Sequence, residues 1–549
     1  MTAATILTNA CVLTMDPDRP TAQAIALGGG RVLALGERTV VEALAGPATD
    51  IIDCGGASVL PGFVESHMHL GPGGSELAHL QVAAIDDAAG LARAVRAFAT
   101  AHPDRPLLMA QVAGYALDGR PITRAVLDSI LADRPFALTA ADHHTVWAKA
   151  AALRAAGILH GAITPPGHAV VIGPDGLATG ELREFAAFAP VIAVGGDLRL
   201  NLGIATGDEP SPWPDAARAI DRAALLRGLR HCAAHGITSI VNMAGNRYTL
   251  DLLARLRRDG DLLARVKVPF HFKLHMELSA LDRASAMAAA LHDDWLTGGM
   301  VKMFMDGLTD SRTAWMLGDY PGHPGQRGQP LFDAARFAAI CTEADRRGLQ
   351  IAVHAIGDPA VRGTLDGYQA ARNANGTRDR RHRIEHIERI DKADIPRLAG
   401  LGVIASLQPG HPPAAINFPM QPTLDIIGAD RWGDAWLWGT LARAGVAIAF
   451  ASDWPVTDIA PLRLIQAALT RQSYPGGADE RLGLMATLRA CTAGGARAAH
   501  REQVTGTLRA GMAADVVVLS GNIQATMPAR VSRIGIALTI AGGRVTHRV

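Results

Sequence analysis

Between residues 59 and 500 the chain repeats one motif, a short apolar run followed by a helix-forming stretch. This rhythm restricts the fold more than any other feature, because it is the pattern of parallel β/α units. Eight runs can be counted, at 59–70, 236–242, 266–274, 299–306, 349–358, 382–388, 402–408 and 446–453. Eight is the number of strands that closes a (β/α)8 barrel. The stretch 333–348 shows the helical half of the motif. Phe337, Ile340, Cys341 and Ala344 fall at i, i+3, i+4 and i+7, and Gly348 supplies the stop.

Two regions do not fit a minimal barrel. Residues 1–58 and 501–549 hold short alternating strands and glycine turns, too few at either end for a stable domain. They are expected to meet in one small β-sandwich, with the barrel of 59–500 inserted between them. Residues 71–220 separate the first two barrel strands by far more than one helix needs. They include a helix at 87–100, with Asp87 as its N-cap, and read as an inserted subdomain over the barrel mouth.

The totals exclude several classes. With 53 basic and 52 acidic residues, the net charge of +1 argues against nucleic acid or an anionic membrane as the main partner. No apolar run is long enough to cross a bilayer, and the N-terminus lacks the pattern of a signal peptide. Five scattered cysteines without a CxxC pair read as reduced core thiols of a cytoplasmic protein. A small-molecule substrate is the expected partner, and a homodimer is the default assembly.

The chemistry sits at the strand ends, where barrels of this kind build their active sites. The first run ends in His67-Met68-His69. Alternation along a strand puts both imidazoles on one face, about 7 Å apart, where they can converge on one metal ion. Lys302, His354, His386 and Asp453 stand at the ends of the fourth, fifth, sixth and eighth runs. Singly, each has a plain alternative as a polar strand-end residue, and Asp453 could simply cap a turn. Their recurrence at successive strand ends favours a metal site. An ammonium with pKa near ~10.4 is no ligand at neutral pH. Lys302 would therefore act only as a carbamate bridging two ions, the alternatives being an ion pair with Asp306 or a contact to substrate.

The run Pro61-Gly62-Phe63-Val64-Glu65-Ser66-His67-Met68-His69 and the other strand ends resemble the amidohydrolase superfamily of metal-dependent hydrolases. More narrowly, Val301-Lys302-Met303-Phe304-Met305-Asp306-Gly307, Ser311-Arg312-Thr313-Ala314, Arg383-Ile384-Glu385-His386, Gln408-Pro409-Gly410-His411 and Ser452-Asp453-Trp454-Pro455 resemble the YtcJ-like branch. That branch includes N-substituted formamide deformylases. Asp142-His143-His144-Thr145-Val146-Trp147 echoes it too, although Ala148-Lys149 departs from the branch pattern. The resemblance implies one or two divalent ions, commonly zinc, held by His67, His69, Lys302, His354, His386 and Asp453, with Lys302 N6-carboxylated in the two-metal form. It implies hydrolysis of an amide, formamide or cyclic amide C–N bond by metal-bound hydroxide. Asp453 would shuttle the proton, and His144, Arg312 and His411 are the candidate donors to substrate. A deaminase of aminoheterocycles would use the same strand ends, and a non-catalytic barrel subunit would keep the fold without turnover. Phe185, Phe188, Trp315, Trp432, Trp436 and Trp438 are the candidate pocket walls. Trp432 and Trp436 stand at helical spacing, which is more often core packing.

Overall fold

The structure is a computed structural model and describes residues 2–140, 143–165, 168–196, 198–211, 214–416, 420–421 and 423–549. Asp142 of the Asp142–Trp147 motif lies outside the described residues. Two compact units are present, Met1–His69 with Leu229–Val549, and Leu70–Gly228.

The first unit holds two parallel sheets. One orders Leu296–Thr297, Arg265–Lys267, Ile237–Asn242 and Phe63–Met68. The other orders Phe270–His271, Met300–Phe304, Gln350–Ala355, Arg383–His386, Ile404–Leu407 and Ala447–Phe450. The third and fourth strand positions each give a segment to both sheets, so the order runs from one to eight without a gap. The eighth position meets the first: the Ser66 hydroxyl donates to the Phe450 carbonyl (3.1 Å), Asp453 N–H to the His67 carbonyl (2.9 Å) and His69 N–H to the Trp454 carbonyl (2.8 Å). This is the strand order and closure of a TIM-like barrel. Most of these strands are buried along their whole length, which is why they read as continuous apolar runs rather than alternating ones. Gly62 allows strands one and two to meet, since a Cβ there would lie 2.1 Å from Thr238 Oγ1.

The helix before strand five spans Ala334–Arg346 and buries Phe337, Ile340, Cys341 and Ala344. Its N-cap is Asp333, whose carboxylate accepts the Arg336 N–H at 2.9 Å. Two expected strands are broken. Residues 266–274 divide into Arg265–Lys267 and Phe270–His271. Residues 59–70 divide at Gly62, because Ser58–Pro61 pairs in a different sheet.

That sheet orders Arg544–Arg548, Ile536–Ala541, Val516–Leu519, Ser58–Pro61, Cys11–Leu13 and Thr21–Ala22, so three strands from the C-terminal end join three from the N-terminal end where Val516–Leu519 pairs with Ser58–Pro61. A four-stranded sheet of Arg31–Gly36, Ala24–Gly28, Thr5–Thr8 and Asp50–Asp53 shares its core of Leu7, Ile25, Val59, Val516 and Ile540. The buried pair of Arg265 and Asp515, at 2.7 Å, ties barrel strand three to the C-terminal segment.

The second unit contains a six-stranded sheet ordered Ala169–Ile172, Ala178–Arg183, Thr145–Ala148, Phe136–Ala140, Leu108–Ala113 and Leu80–Gln81. The sequence pattern shows only the helix, Ala88–Ala101, capped by Asp87 through the Gly90 N–H. Strands of two to six residues are too short to show a period-two pattern of their own, so nothing local announces the sheet. The departure at Lys149 has a structural reason. Its buried ammonium donates to the carbonyls of Leu131 and Ala132, which follow the helix Arg124–Ile130.

Candidate metal centre

The strand ends of the first unit gather seven polar side chains. His67 and His69 bring Nε2 to 3.3 and 2.9 Å from Asp453 Oδ1. The His386 ring lies 5.0 Å from His67, 4.5 Å from His354 and 5.7 Å from His411, on which it stacks. Ligand atoms within 4.8 Å of one another define two groups, His67–His69–Asp453 and His386–His411–Asp453. His354 stands outside both groups. His411, expected as a donor to substrate, instead brings Nε2 to 3.6 Å from Asp453 Oδ2 and Nδ1 to 3.5 Å from Glu388.

Outer partners assign the tautomers. His67 Nδ1 lies 2.7 Å from Glu385 Oε2, which accepts; Nδ1 therefore carries the hydrogen and Nε2 turns a lone pair toward Asp453. Glu385 is held in turn by Arg383, through Nε at 2.8 Å and a terminal nitrogen at 2.9 Å. His386 Nδ1 donates to Gln408 Oε1 at 2.9 Å, and His354 Nε2 to the Gly307 carbonyl at 3.1 Å. Burial drives the His67 imidazole down to about 4, His354 to about 3 and His386 well below its usual value, so all three are neutral. Burial alone would raise the Asp453 carboxyl, but His67 and His69 outweigh it and hold Asp453 well below the carboxylate range.

These assignments supply the test of fit. A lone pair on His67 and an anionic oxygen of Asp453 face each other at 3.3 Å, and neither can donate a hydrogen. Asp453 Oδ1 and His69 Nδ1 are buried without a hydrogen bond. A buried lone pair and a buried carboxylate oxygen that face each other repel unless a cation lies among them. A divalent ion with nitrogen and oxygen ligands fits this donor set.

Lys302 does not pair with Asp306. The Asp306 carboxylate accepts the backbone N–H groups of Trp315 (2.9 Å), Ile356 (3.0 Å) and Gly357 (2.9 Å), while Lys302 Nζ is buried without a partner. Burial pushes the Lys302 amine down to about 8, against the pull of Glu385 and Asp453. Arg312 sits in the loop after strand four with φ of 57°, its Nε buried and unbonded. His144 belongs to the second unit, where its Nδ1 lies 2.9 Å from Glu184. The tryptophan spacing is not a helix. Trp432 lies in a 3-10 turn, Trp436 has φ of 51°, and Trp438 opens a separate helix. Trp436 and Trp438 are buried in the core.

Sequence reading missed Glu65, Arg383, Glu385, Glu388 and Gln408. Glu65 stands two residues before His67 and Arg383 two before Glu385, each pair on one strand face, whereas Glu388 and Gln408 lie past the ends of their strands and carry no such mark. Glu65 accepts the Ser452 N–H with both oxygens at 3.1 Å and the His67 N–H at 3.2 Å.

Neutral imidazoles and a carboxylate at the C-terminal ends of parallel strands define a metal-dependent hydrolase in class. Residues 50–547 match the amidohydrolase family, and the chain belongs to it; it is a hydrolase acting on carbon–nitrogen bonds. The chain is 28% identical to the putative amidohydrolase YtcJ of Bacillus subtilis, covering 91% of each chain. It is 27% identical to the N-substituted formamide deformylase of Arthrobacter pascens, covering 94% of this chain and 93% of that protein. The fold matches a metal-dependent hydrolase of Pyrococcus horikoshii with a TM-score of 0.74 at 22% identity, covering 96% of this chain and 98% of the other. No helix among the described residues is long and apolar enough to cross a membrane.

Proposed function

We propose that this protein opens the C–N bond of a small amide, formamide or cyclic amide. The observation that carries the reading is the convergence of buried ligand atoms of His67, His69 and Asp453. These three would hold one divalent ion, zinc by preference. Lys302, as its N6-carboxylate, would hold a second with His354 and His386, while His411 stacks on His386 and faces Asp453. A bound ion supplies Lewis acidity, polarising the substrate carbonyl and acidifying water.

The protein's own groups then have separate tasks. Asp453, held ionised, accepts a proton from water at Oδ1 or Oδ2 and returns it to the leaving nitrogen, which departs as a neutral amine. Glu385 and Gln408 keep His67 and His386 in their ligating tautomers. Arg312 is the candidate donor to the substrate oxygen as charge develops there. Carboxylation of Lys302 forms an N–C bond between its neutral amine and CO2 and releases one proton to water. The buried, unpartnered amine near pKa 8 supports that step. Similarity to a formamide deformylase favours N-substituted formamides as the first substrates to try. All five cysteines are free, in keeping with a reducing compartment such as the cytoplasm.

The test is elemental analysis of protein made without chelator, followed by assay against formamides, amides, lactams and aminoheterocycles. Divalent metal and release of an amine with a carboxylic or formic acid are expected. Release of ammonia from an aminoheterocycle alone would move the protein to the deaminases, and full activity in metal-free protein would overturn the reading.

A further inference from the structure

Strand three ends in a histidine with no part in the metal groups. His271 is fully buried, and its Nε2 lies 2.8 Å from the Met243 carbonyl. A carbonyl only accepts, so Nε2 carries the hydrogen and Nδ1 presents a lone pair. That Nδ1 is buried, with no donor among the described residues. Directly across on strand four, in register with His271, stands Lys302, a buried donor with no acceptor. In-register residues of parallel neighbours point to the same face, with their strands ~4.8 Å apart. Phe304, two residues on, joins the same wall. Its ring lies near parallel to His271 at 6.5 Å and 24°, and carries Lys302 Nζ at 5.0 Å and Lys273 Nζ at 4.9 Å.

The wall therefore pairs an unfilled acceptor with an unfilled donor, under a ring flanked by two lysines. An ammonium on Lys302 would set two like charges on one ring in a buried setting. A carbamate there is an anion, which turns the repulsion into an attraction to Lys273. It also leaves one hydrogen on nitrogen, because the amine gives up a proton when its lone pair bonds to the carbon of CO2. One N–H directed at one acceptor fixes the torsion of the planar head group.

We infer that His271 is a positioning residue for N6-carboxylated Lys302, its Nδ1 accepting the hydrogen bond of the carbamate N–H. The inference rests on the carbamate reading given under Proposed function.

Wild type, His271→Phe, His271→Asn and Lys302→Ala, each checked for folding by circular dichroism, are equilibrated with 13C-bicarbonate and read by 13C NMR. Metal content is measured alongside. A carbamate resonance present in wild type and absent in Lys302→Ala assigns the modification. His271→Phe keeps the ring but removes the acceptor, and should lower carbamate occupancy about tenfold at limiting bicarbonate, the scale of one net hydrogen bond. His271→Asn keeps an acceptor near the Nδ1 position and should retain most of the resonance. Full occupancy in His271→Phe overturns the role of His271 and leaves the carbamate reading intact. Equal loss in folded Phe and Asn variants overturns it as well, since packing rather than an acceptor would then be at stake. No resonance in wild type overturns both readings together. If His271→Phe does not fold, His271→Leu is read in its place.

Discussion

The two ends of barrel strand six hold polar clusters of opposite character. At its start, beside His382, the fully buried Asp345 carboxylate accepts from Arg380 Nε (2.6 Å), Arg378 (2.7 Å) and Asn375 (2.8 Å), with His382 Nε2 at 3.5 Å. Lys267 donates to Gln350 Oε1 at 2.8 Å, and the Gln350 amide donates to the Arg381 and Ala498 carbonyls. At its finish, beside His386, Lys302 Nζ, His69 Nδ1 and Asp453 Oδ1 have no hydrogen bond. A cavity of about 250 Å³ opens at the first end, lined by Tyr368, Arg378, Arg380 and His382. Its arginines are already engaged with Asp345, so size alone does not make it the site. Burying polar groups is tolerable when they satisfy one another and costly when they do not. The first cluster, His382 Nε2 aside, satisfies itself; the second gathers a buried amine and buried acceptors that no protein group satisfies.

Variants can break or sharpen this contrast. The largest effect is expected from Asp453→Asn, which keeps one ligating oxygen but cannot take a proton. It should retain at least one metal by elemental analysis yet lose kcat by about a hundredfold or more. The acidic limb of the wild-type pH–rate profile should vanish with it, because activity requires Asp453 ionised and falls as pH drops through its lowered pKa. Near-normal turnover in metal-replete Asp453→Asn would direct attention to His386 or His411. Lys302→Ala comes next. It should lose the second metal and most activity, with partial rescue by acetate or propionate plus metal; unchanged metal content would favour a one-metal site.

Asp345→Asn should do the reverse. It leaves metal content and kcat in place but lowers stability by about 3–5 kcal/mol, the scale of a buried ion pair broken on one side. Denaturant titration measures this. Burial alone would raise the Asp345 carboxyl, but His382, Arg380, Asn375 and Arg378 outweigh it and hold it far below its usual range. A depressed folded pKa gives stability that is complete above the unfolded value near ~3.9 and is lost as pH falls below it. The variant should lack that acid dependence. The smallest effect is expected at Asp333→Ala, where loss of the N-cap costs about 1 kcal/mol in the same titration and leaves metal and rate unchanged. A drop in activity there would mean that filled polar groups outside the centre also tune it.

Much of the site is legible because alternation is local. His67 and His69, two residues apart, must share a strand face, and each later run ends near the position where its polar residue stands. The helix before strand five is legible for the same reason, its apolar period and cap lying within one short segment. Glu385 carries the same period-two mark, but its task depends on His67, 318 residues away.

What the sequence by itself determined was the strand rhythm, the faces of the strands and the residue types at their ends. Only the tertiary structure decided the partners. It gave Asp306 to the backbone of Trp315, Ile356 and Gly357 rather than to Lys302, and set His411 beside Asp453. It set His271 opposite Lys302, assembled a six-stranded sheet in the second unit from short strands, and broke the tryptophan spacing at Trp436. The physical reason is range. Steric alternation and helical period act over a few residues, whereas a hydrogen bond or a metal site is satisfied by whichever groups the closed barrel brings within about 3 Å.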